Sequence, residues 1–310
     1  MTSRVGVVMM TRDRRDQTLN ALGQLTALPE SPPIVVVDNG SGDATAAAVR
    51  ERFPDVQVLE LDHNAGSVAR TFGVRALSTP YVAFSDDDSW WAPGALKLAA
   101  ERFDTQPRLG LLAARILVGP EEREDPLNAV LAASPLRRRD GHPEPALLGF
   151  VACGAVVRRE AFLTVGGFSE VVFFLGEETV LAQDLDAAGW EVAYGSEVVA
   201  HHHPRRGPAP AHRQRLQLRN ELLSVWLRRP PTVIARRTAQ VARLGPLGRG
   251  ALLDALRRLP MVARHRKSLP ATTEARMRLL ETQPEGAAVA PAAGNRSTPR
   301  PGTSGPEGST

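Results

Sequence analysis

The chain has 310 residues, 43% hydrophobic and 23% charged, an ordinary globular composition that excludes collagen-like, wholly disordered and disulfide-framework proteins. Its one cysteine, Cys153, excludes an internal disulfide and a cysteine-based metal cluster. The formal charge of +4 hides two opposed parts: residues 1–204 carry 18 Lys and Arg against 28 Asp and Glu, whereas residues 205–283 carry 18 against 4.

The first hundred residues alternate strand and helix patterns. Val5–Met10, Ile34–Val37, Val56–Leu61 and Tyr81–Phe84 read as strands. Arg14–Leu28, Asp43–Phe53 and Gly66–Leu77 read as the intervening helices. Repeated units of this length predict a parallel sheet with helices on both faces. Pro93–Thr105 reads as a helix and Leu109–Val118 as a strand. Gly119–Pro145 is rich in charge, Pro and Gly and reads as a long loop with a short helix at Leu127–Ala132. Phe150–Val157 reads as a buried strand, Arg159–Val165 and Glu178–Ala188 as helices, and Glu191–Tyr194 and Val198–Ala200 as two short strands. Beyond His203, Arg213–Arg228, Thr232–Leu244 and Gly248–Leu259 read as basic amphipathic helices, with a last short one at Arg276–Leu280. Pro284–Thr310 has no periodicity and a composition expected of disorder. No apolar run reaches the roughly 18 residues that span a bilayer, and the N-terminal apolar stretch is too short for a secretory signal. A cytoplasmic protein is the expectation.

Five clusters carry candidate chemistry. Ser85-Asp86-Asp87-Asp88-Ser89 follows a predicted strand, and three adjacent carboxylates repel one another unless a cation or hydrogen-bond donors offset them. A hard divalent cation such as Mg2+ or Mn2+ would do so, leaving room for phosphate oxygens. The plain alternative is an acidic turn. Asp38-Asn39-Gly40 also follows a strand and therefore points into the same crevice, where Asp38 could accept from a ribose or base; an ordinary Asn-Gly turn is the competing reading. Asn64-Ala65-Gly66, with Arg70 four residues on, is a small-residue turn suited to close approach of a ligand. Glu177 and Glu178 open a predicted helix, as a general base or as an ordinary first-turn pair. His201-His202-His203 could supply one metal ligand or form a surface turn.

Together and in this order, over roughly residues 4–204, these pieces resemble family 2 glycosyltransferases of the GT-A fold. VVMMTRDR is similar to that family's first strand and nucleotide-facing loop, which points to Thr11 and Arg12. IVVVDNGSGD is similar to its second strand with the nucleotide-binding Asp, NAGSVARTFG to its Asn-x-Gly segment with Arg, and YVAFSDDDSWW to its DxD motif. CGAVVRREAFLTVGGFSE resembles the stretch near donor sugar and acceptor, and FFLGEETVLAQDLDAAGW with AHHH resembles the Glu-Glu helix and closing His.

The resemblance implies an α/β nucleotide-diphospho-sugar transferase fold, a mostly parallel central sheet flanked by helices, at 1–204. A basic helical extension follows at 205–283. It implies an inverting transfer of sugar from a nucleoside-diphosphate sugar to a hydroxyl acceptor, sugar-containing or lipid-linked, in cell-envelope synthesis. Asp38, Asn64, Gly66, Arg70, Asp86 and Asp87 would serve the donor, and Trp91 and Gly154 the acceptor. Asp86, Asp88 and either His201 or His202 would hold the divalent cation. Glu178 would be the base, with Glu177 as the alternative. Val180 stands where relatives often carry an Asp. The long loop 119–145 is expected to close over the donor.

The basic extension suits either an anionic membrane surface or packing against the acidic body, and nucleic acid is not expected because no recognition motif accompanies the charge. A nucleotidyltransferase is disfavoured because the first loop, TRDRR, lacks glycine. A non-catalytic GT-A-like binding protein, docking through its basic tail, is the remaining alternative.

Overall fold

The computed structural model describes residues 3–204 and 211–282, so the expected disordered tail lies outside the described residues. The β-α alternation is present as β1 (Val5–Thr11), α1 (Arg15–Thr26), β2 (Ile34–Asp38), α2 (Thr45–Arg52), β3 (Gln57–Glu60), α3 (Val68–Ala76) and β4 (Tyr81–Asp86). β2 is buried along its whole length and β1 along nearly all of it. Their side chains are apolar on both faces because helices cover both faces of the sheet. α1 buries Ala21, Leu22 and Leu25 into the core on one face. α3 buries Ala69 and Val74 into the core on the other.

The chain continues as β5 (Ser89–Trp91), α4 (Ala95–Thr105), β6 (Leu109–Val118), β7 (Arg123–Glu124), α5 (Pro126–Ala132), β8 (Ala155–Arg158), α6 (Arg159–Thr164), α7 (Glu177–Ala187) and β9 (Glu191–His202). The nine-stranded sheet has the order β3-β2-β1-β4-β8-β6-β9-β5, with β7 paired to β6. β3, β2, β1 and β4 are parallel; β8 then runs antiparallel to both β4 and β6, and β6 pairs with β9 in parallel. The sheet is therefore mixed beyond β4, because β8 enters between two strands from the opposite end.

Several boundaries differ from the sequence reading. The two short strands near the end are one twelve-residue strand, β9, whose register slips between Ala114 and Arg115 of β6. That bulge holds the polar Ser196 and Glu197, which read locally as a turn. β5 is too short to carry a period and was not anticipated; it pairs antiparallel with the end of β9, Ser89 opposite His202 and Trp90 opposite His201. Of Phe150–Val157, only the end is strand, and Ala152–Gly154 forms a 3-10 turn. The long segment after β6 is pinned rather than loose. Asp125 caps α5 by accepting from the Leu127 N–H at 2.8 Å, Arg138 is buried between Asp140 and Glu144, and Arg102 holds Glu144 at 2.6 Å.

The basic extension forms α8 (Ala211–Arg228), α9 (Pro231–Ala242), α10 (Gly245–Leu256), α11 (Leu259–His265) and α12 (Ala271–Glu281). The third predicted helix ends early because Pro260 begins a new one, α11. The extension shares a core with the body, in which Val171, Val172 and Val180 pack with Leu222, Leu223, Trp226 and Leu227. Val180 is 1% exposed in that core. An acid there would be buried against leucines, so the valine follows from the docking of α8 on α7. Ion pairs reinforce the joint. Arg228 grips Asp184 through two bonds of 2.6 and 2.7 Å, and Asp186 accepts from Thr273 at 2.7 Å and faces Arg276 at 3.1 Å. Among the described residues no helix is long and apolar enough to cross a membrane.

Candidate active site

The carboxyl ends of β1, β2 and β4 form one rim of a crevice, as parallel strands of a βαβ sheet require. Thr11 ends β1, Asp38 ends β2 beside it, and Asp86 ends β4 opposite Met10. Thr11 is 2% exposed; its hydroxyl lies 2.7 Å from that of Thr18 and donates to Asp87 Oδ2 at 3.4 Å. Asp38 is equally buried and accepts from the Ser41 N–H at 2.8 Å, which closes the turn after β2. Arg12 is exposed and lies 3.4 Å from Asp13. Arg14 instead faces the acidic cluster, 3.6 Å from Asp87 and 4.0 Å from Asp88. Sequence reading missed Arg14, since five arginine-or-aspartate positions follow one another there and only the fold selects one.

Behind this rim is a second group of charges. Arg70, on α3, is 1% exposed. It donates to Asp86 at 2.5 Å and lies 3.5 Å from Glu177. Burial would weaken its charge, but Asp86 and Glu177 more than offset burial and raise its pKa. Glu177 and Glu178 open α7 and are 1% and 9% exposed. Burial pushes the Glu177 carboxyl well above the usual carboxylate range, as does Glu178, against the pull of Arg70. Burial also raises Glu178, while its own backbone N–H, Arg70 and the Ala152 N–H hold it back. One guanidinium thus serves three carboxylates. Burial thereby gives Glu177 and Glu178 a higher proton affinity than exposed glutamates have.

The turn before α3 is set by Asn39, which sequence reading left as part of a turn. Asn39 donates to Asn64 Oδ1 at 3.0 Å and to the Gly66 carbonyl at 3.1 Å, and accepts from the Ala65 N–H at 2.7 Å. Gly66 has φ +62°, and a Cβ there would lie 2.4 Å from the Phe173 carbonyl oxygen. Only glycine permits that approach, which lets the Ser67 N–H reach the same carbonyl at 2.6 Å.

The segment from Val171 to Gly176 therefore joins the donor-side turn to Glu177. Its backbone is left-handed at Phe173 (φ 72°), Leu175 (φ 71°) and Gly176 (φ 90°). The extension holds it from the other side. Asn220 of α8, 1% exposed, donates to the Phe174 carbonyl and, at 2.7 Å, to that of Leu175. Arg258 donates to the Val171 carbonyl at 2.8 Å. No local motif marks Asn220 or Arg258, because their partners lie more than forty residues away.

The histidines divide by strand alternation. His202 Nε2 lies 3.5 Å from Asp88 Oδ1. Burial would lower the His202 pKa, but the Asp88 carboxylate outweighs burial and raises it. His201 faces the opposite way, 3.4 Å from Glu122 and stacked on Trp90. It is not brought to the carboxylate cluster. The two residues expected at the acceptor are both buried. Trp91 is 1% exposed within the core, so it cannot line an acceptor surface; Trp90 is the partly exposed one of the pair. Gly154 is buried where a Cβ would meet Ile116 at 2.8 Å, so packing alone requires glycine there.

A family model described as "Glycosyl transferase family 2" matches residues 7–166. The chain belongs to glycosyl transferase family 2. It is 29% identical over 246 residues to the N-acetylglucosaminyl-diphospho-decaprenol L-rhamnosyltransferase of Mycobacterium tuberculosis (strain CDC 1551 / Oshkosh), covering 68% of this chain and 80% of that one. It is 32% identical over 178 residues to the same organism's pre-mycofactocin glycosyltransferase, covering 55% of this chain and 37% of that longer protein. Among solved structures, the mannosyltransferase PcManGT of Pyrobaculum calidifontis, in complex with GDP-Man and Mn2+, superposes with a TM-score of 0.56 at 22% identity, over 89% of this chain and 79% of that one. S. aureus TarS 1-349 in complex with UDP-GlcNAc gives 0.54 at 15% identity, over 82% and 72%. These likenesses show the GT-A fold. This glycosyltransferase is thus a sugar-transferring enzyme, and the nucleotidyltransferase and non-catalytic readings fall away.

The acidic cluster of this glycosyltransferase suits a divalent cation in its donor chemistry, carboxylate oxygens with one imidazole nitrogen. The cluster is short of positive charge. Burial and the neighbouring Asp88 push the Asp87 carboxyl up to about 7 despite Arg14. Among the described residues no three His, Cys, Asp or Glu side chains converge as a ready-made metal cage. Asp86 is engaged by Arg70, so Asp88 and His202 are the donors left facing each other.

Proposed function

We propose that this chain transfers a sugar from a nucleoside-diphosphate sugar to a hydroxyl of a lipid-linked sugar acceptor in cell-envelope synthesis, with inversion at the anomeric carbon. The observation that carries the reading is the convergence of Asp86, Arg70, Glu177 and Glu178 beside Asp87, Asp88 and His202 at the strand ends. The lipid-linked acceptor is supported by the rhamnosyltransferase relative, whose name specifies a decaprenol diphosphate carrier.

Glu178 is the base. Glu177 is the more buried of the two and is tied to Arg70, whereas Glu178 keeps more exposure. A carboxylate raised by burial approaches the acceptor hydroxyl with better proton affinity than an exposed glutamate. The acceptor oxygen forms its bond to the anomeric carbon as Glu178 takes its proton. The bond from that carbon to the phosphate oxygen breaks, and the nucleoside diphosphate leaves with the electron pair. Asp38 and Thr11 face the nucleoside. Arg70 holds Asp86 and Glu177 in place throughout. A divalent cation at Asp88 and His202 would supply charge neutralisation for the diphosphate.

The test is a panel of nucleotide sugars with Mn2+, Mg2+ or EDTA, read by thermal shift and by release of nucleoside diphosphate in the presence of polyprenyl-diphosphate-linked N-acetylglucosamine. Stabilisation by one nucleotide class, lost in Asp88→Ala, is expected. Glu178→Gln should keep that stabilisation and lose transfer by at least a hundredfold. Equal loss of transfer in Glu177→Gln with full activity in Glu178→Gln would move the base to Glu177.

A further inference from the structure

The arginines of the extension fall into two sets. Arg219, Arg228, Arg229, Arg258, Arg266 and Arg276 are spent inside the protein, on carboxylates or backbone carbonyls. Arg243, Arg249 and Arg264 are exposed and have no ion-pair partner among the described residues. Asp254 is the one acid between residues 230 and 273, and it is already held by Arg215 and Arg257, each at 2.6 Å. This surface therefore carries uncompensated positive charge.

The same surface is apolar. Leu244, Leu247, Leu253, Leu256 and Leu259 are 55%, 38%, 57%, 41% and 44% exposed, five of the eight large exposed hydrophobics among the described residues. They cluster on α10 and its two flanking corners. Arg249, Leu253 and Leu256 follow at i, i+4 and i+7, so one helical stripe carries a cation and then two leucines. Beside the stripe an open groove of about 680 Å³ runs between α9 and α11, lined by Trp226, Ile234, Ala239, Leu256, Leu259 and Val262. Exposed leucines that share a helical stripe with a cation, beside an apolar groove, mark an interaction surface.

We propose that the face formed by α9, α10 and α11 docks on an anionic lipid bilayer, with the leucines entering the headgroup boundary and Arg243, Arg249 and Arg264 meeting lipid phosphates. Charge complementarity selects this occupant: free arginines flank exposed leucines, the pairing that an interfacial amphipathic surface requires. A nucleic acid would use the arginines and leave the leucines in water; a neutral protein would use the leucines and leave the arginines unpaired. The inference rests on the lipid-linked acceptor reading for its purpose, since docking would bring the crevice to a membrane-borne substrate. The extension that docks is also the one that holds the Val171–Gly176 segment through Asn220 and Arg258.

The experiment uses the full chain and acceptor-free vesicles, so that it does not depend on the acceptor. Co-sedimentation is measured with phosphatidylcholine vesicles and with vesicles containing phosphatidylglycerol, at low and high salt. Binding to the anionic vesicles alone, weakened by salt, is expected. The triple variant Arg243→Gln, Arg249→Gln, Arg264→Gln should lose on the order of a hundredfold, about fivefold per cation. The pair Leu244→Ser and Leu253→Ser, both more than half exposed, should lose at least tenfold without lowering the unfolding midpoint. Absence of binding to either vesicle would overturn the proposal, as would binding unaffected by both variants. A concentration-dependent dimer abolished by the leucine variants would assign the face to a second copy and also overturn it. Any of these would leave the acceptor reading intact, because transfer to a detergent-dispersed lipid-linked acceptor tests that separately.

Discussion

Asn220 offers the sharpest test of how the extension serves the site. Its amide donates to two successive carbonyls in a segment with left-handed backbone at Phe173 and Leu175. Such residues cost about 1–3 kcal/mol each and persist only where surrounding contacts impose them. In Asn220→Ala both donors vanish. The buried Leu175 carbonyl then loses its partner at about 1–3 kcal/mol, and the part-buried Phe174 carbonyl adds about 1 kcal/mol. Unfolding in urea should therefore show a loss of about 2–4 kcal/mol. The functional consequence is separable. Thr11 and Asp38, the residues proposed to face the nucleoside, stand on β1 and β2 and make no bond to Asn220, so the KM for donor should change by less than about threefold. Glu178, the proposed base, lies two residues beyond the released segment, and misplacing a catalytic group by about 1 Å can cost about a hundredfold in rate. A fall in kcat of at least tenfold is expected in steady-state assays with the donor found by the screen. A stability loss below about 0.5 kcal/mol would refute the bracing argument, and a full stability loss with unchanged kcat would refute its link to the base.

Arg70→Met should leave the buried Glu177 and the half-buried Asp86 without their cation, at about 3–5 kcal/mol; the loss should be larger at pH 8 than at pH 5, where Glu177, raised by burial, can protonate, as urea unfolding at the two pH values would show. Gly66→Ala places a Cβ against the Phe173 carbonyl at a left-handed position, so thermal unfolding should drop sharply, whereas Gly23→Ala, with open space around it, should be neutral or slightly stabilising. Glu274 is raised by burial but lowered more by hydrogen bonds from Arg229 and Arg278, for a net fall below its usual value of 4.5. A lowered acid stabilises the fold above its unfolded pKa and loses that contribution as pH falls through its folded value. The stability gap between the protein and Glu274→Gln should therefore be full at pH 7 and shrink below about pH 4.5 in chemical denaturation.

What the sequence by itself determined was the order of strands and helices in the first half and the acids at strand ends. Both rest on short-range physics. A β-branched run such as Ile34–Val37 and a helical spacing such as Leu19, Leu22 and Leu25 are complete within a dozen residues. A residue at the carboxyl end of a parallel strand must face the crevice whatever the rest of the chain does. Only the tertiary structure decided which histidine meets Asp88. Side chains alternate along a strand, and the bulge in β9 resets that alternation between Tyr194 and His201, so parity cannot be counted from the sequence. Likewise the local pattern could not tell Trp90 from Trp91, because three residues of β5 carry no period of their own. Arg14, Asn220 and Arg258 gain their roles from partners far along the chain, and Val180 is apolar because α8 lies on it. The +14 of residues 205–283 was legible as a sum; its division into arginines turned inward and arginines left in water depends on how five helices pack, which no single segment encodes.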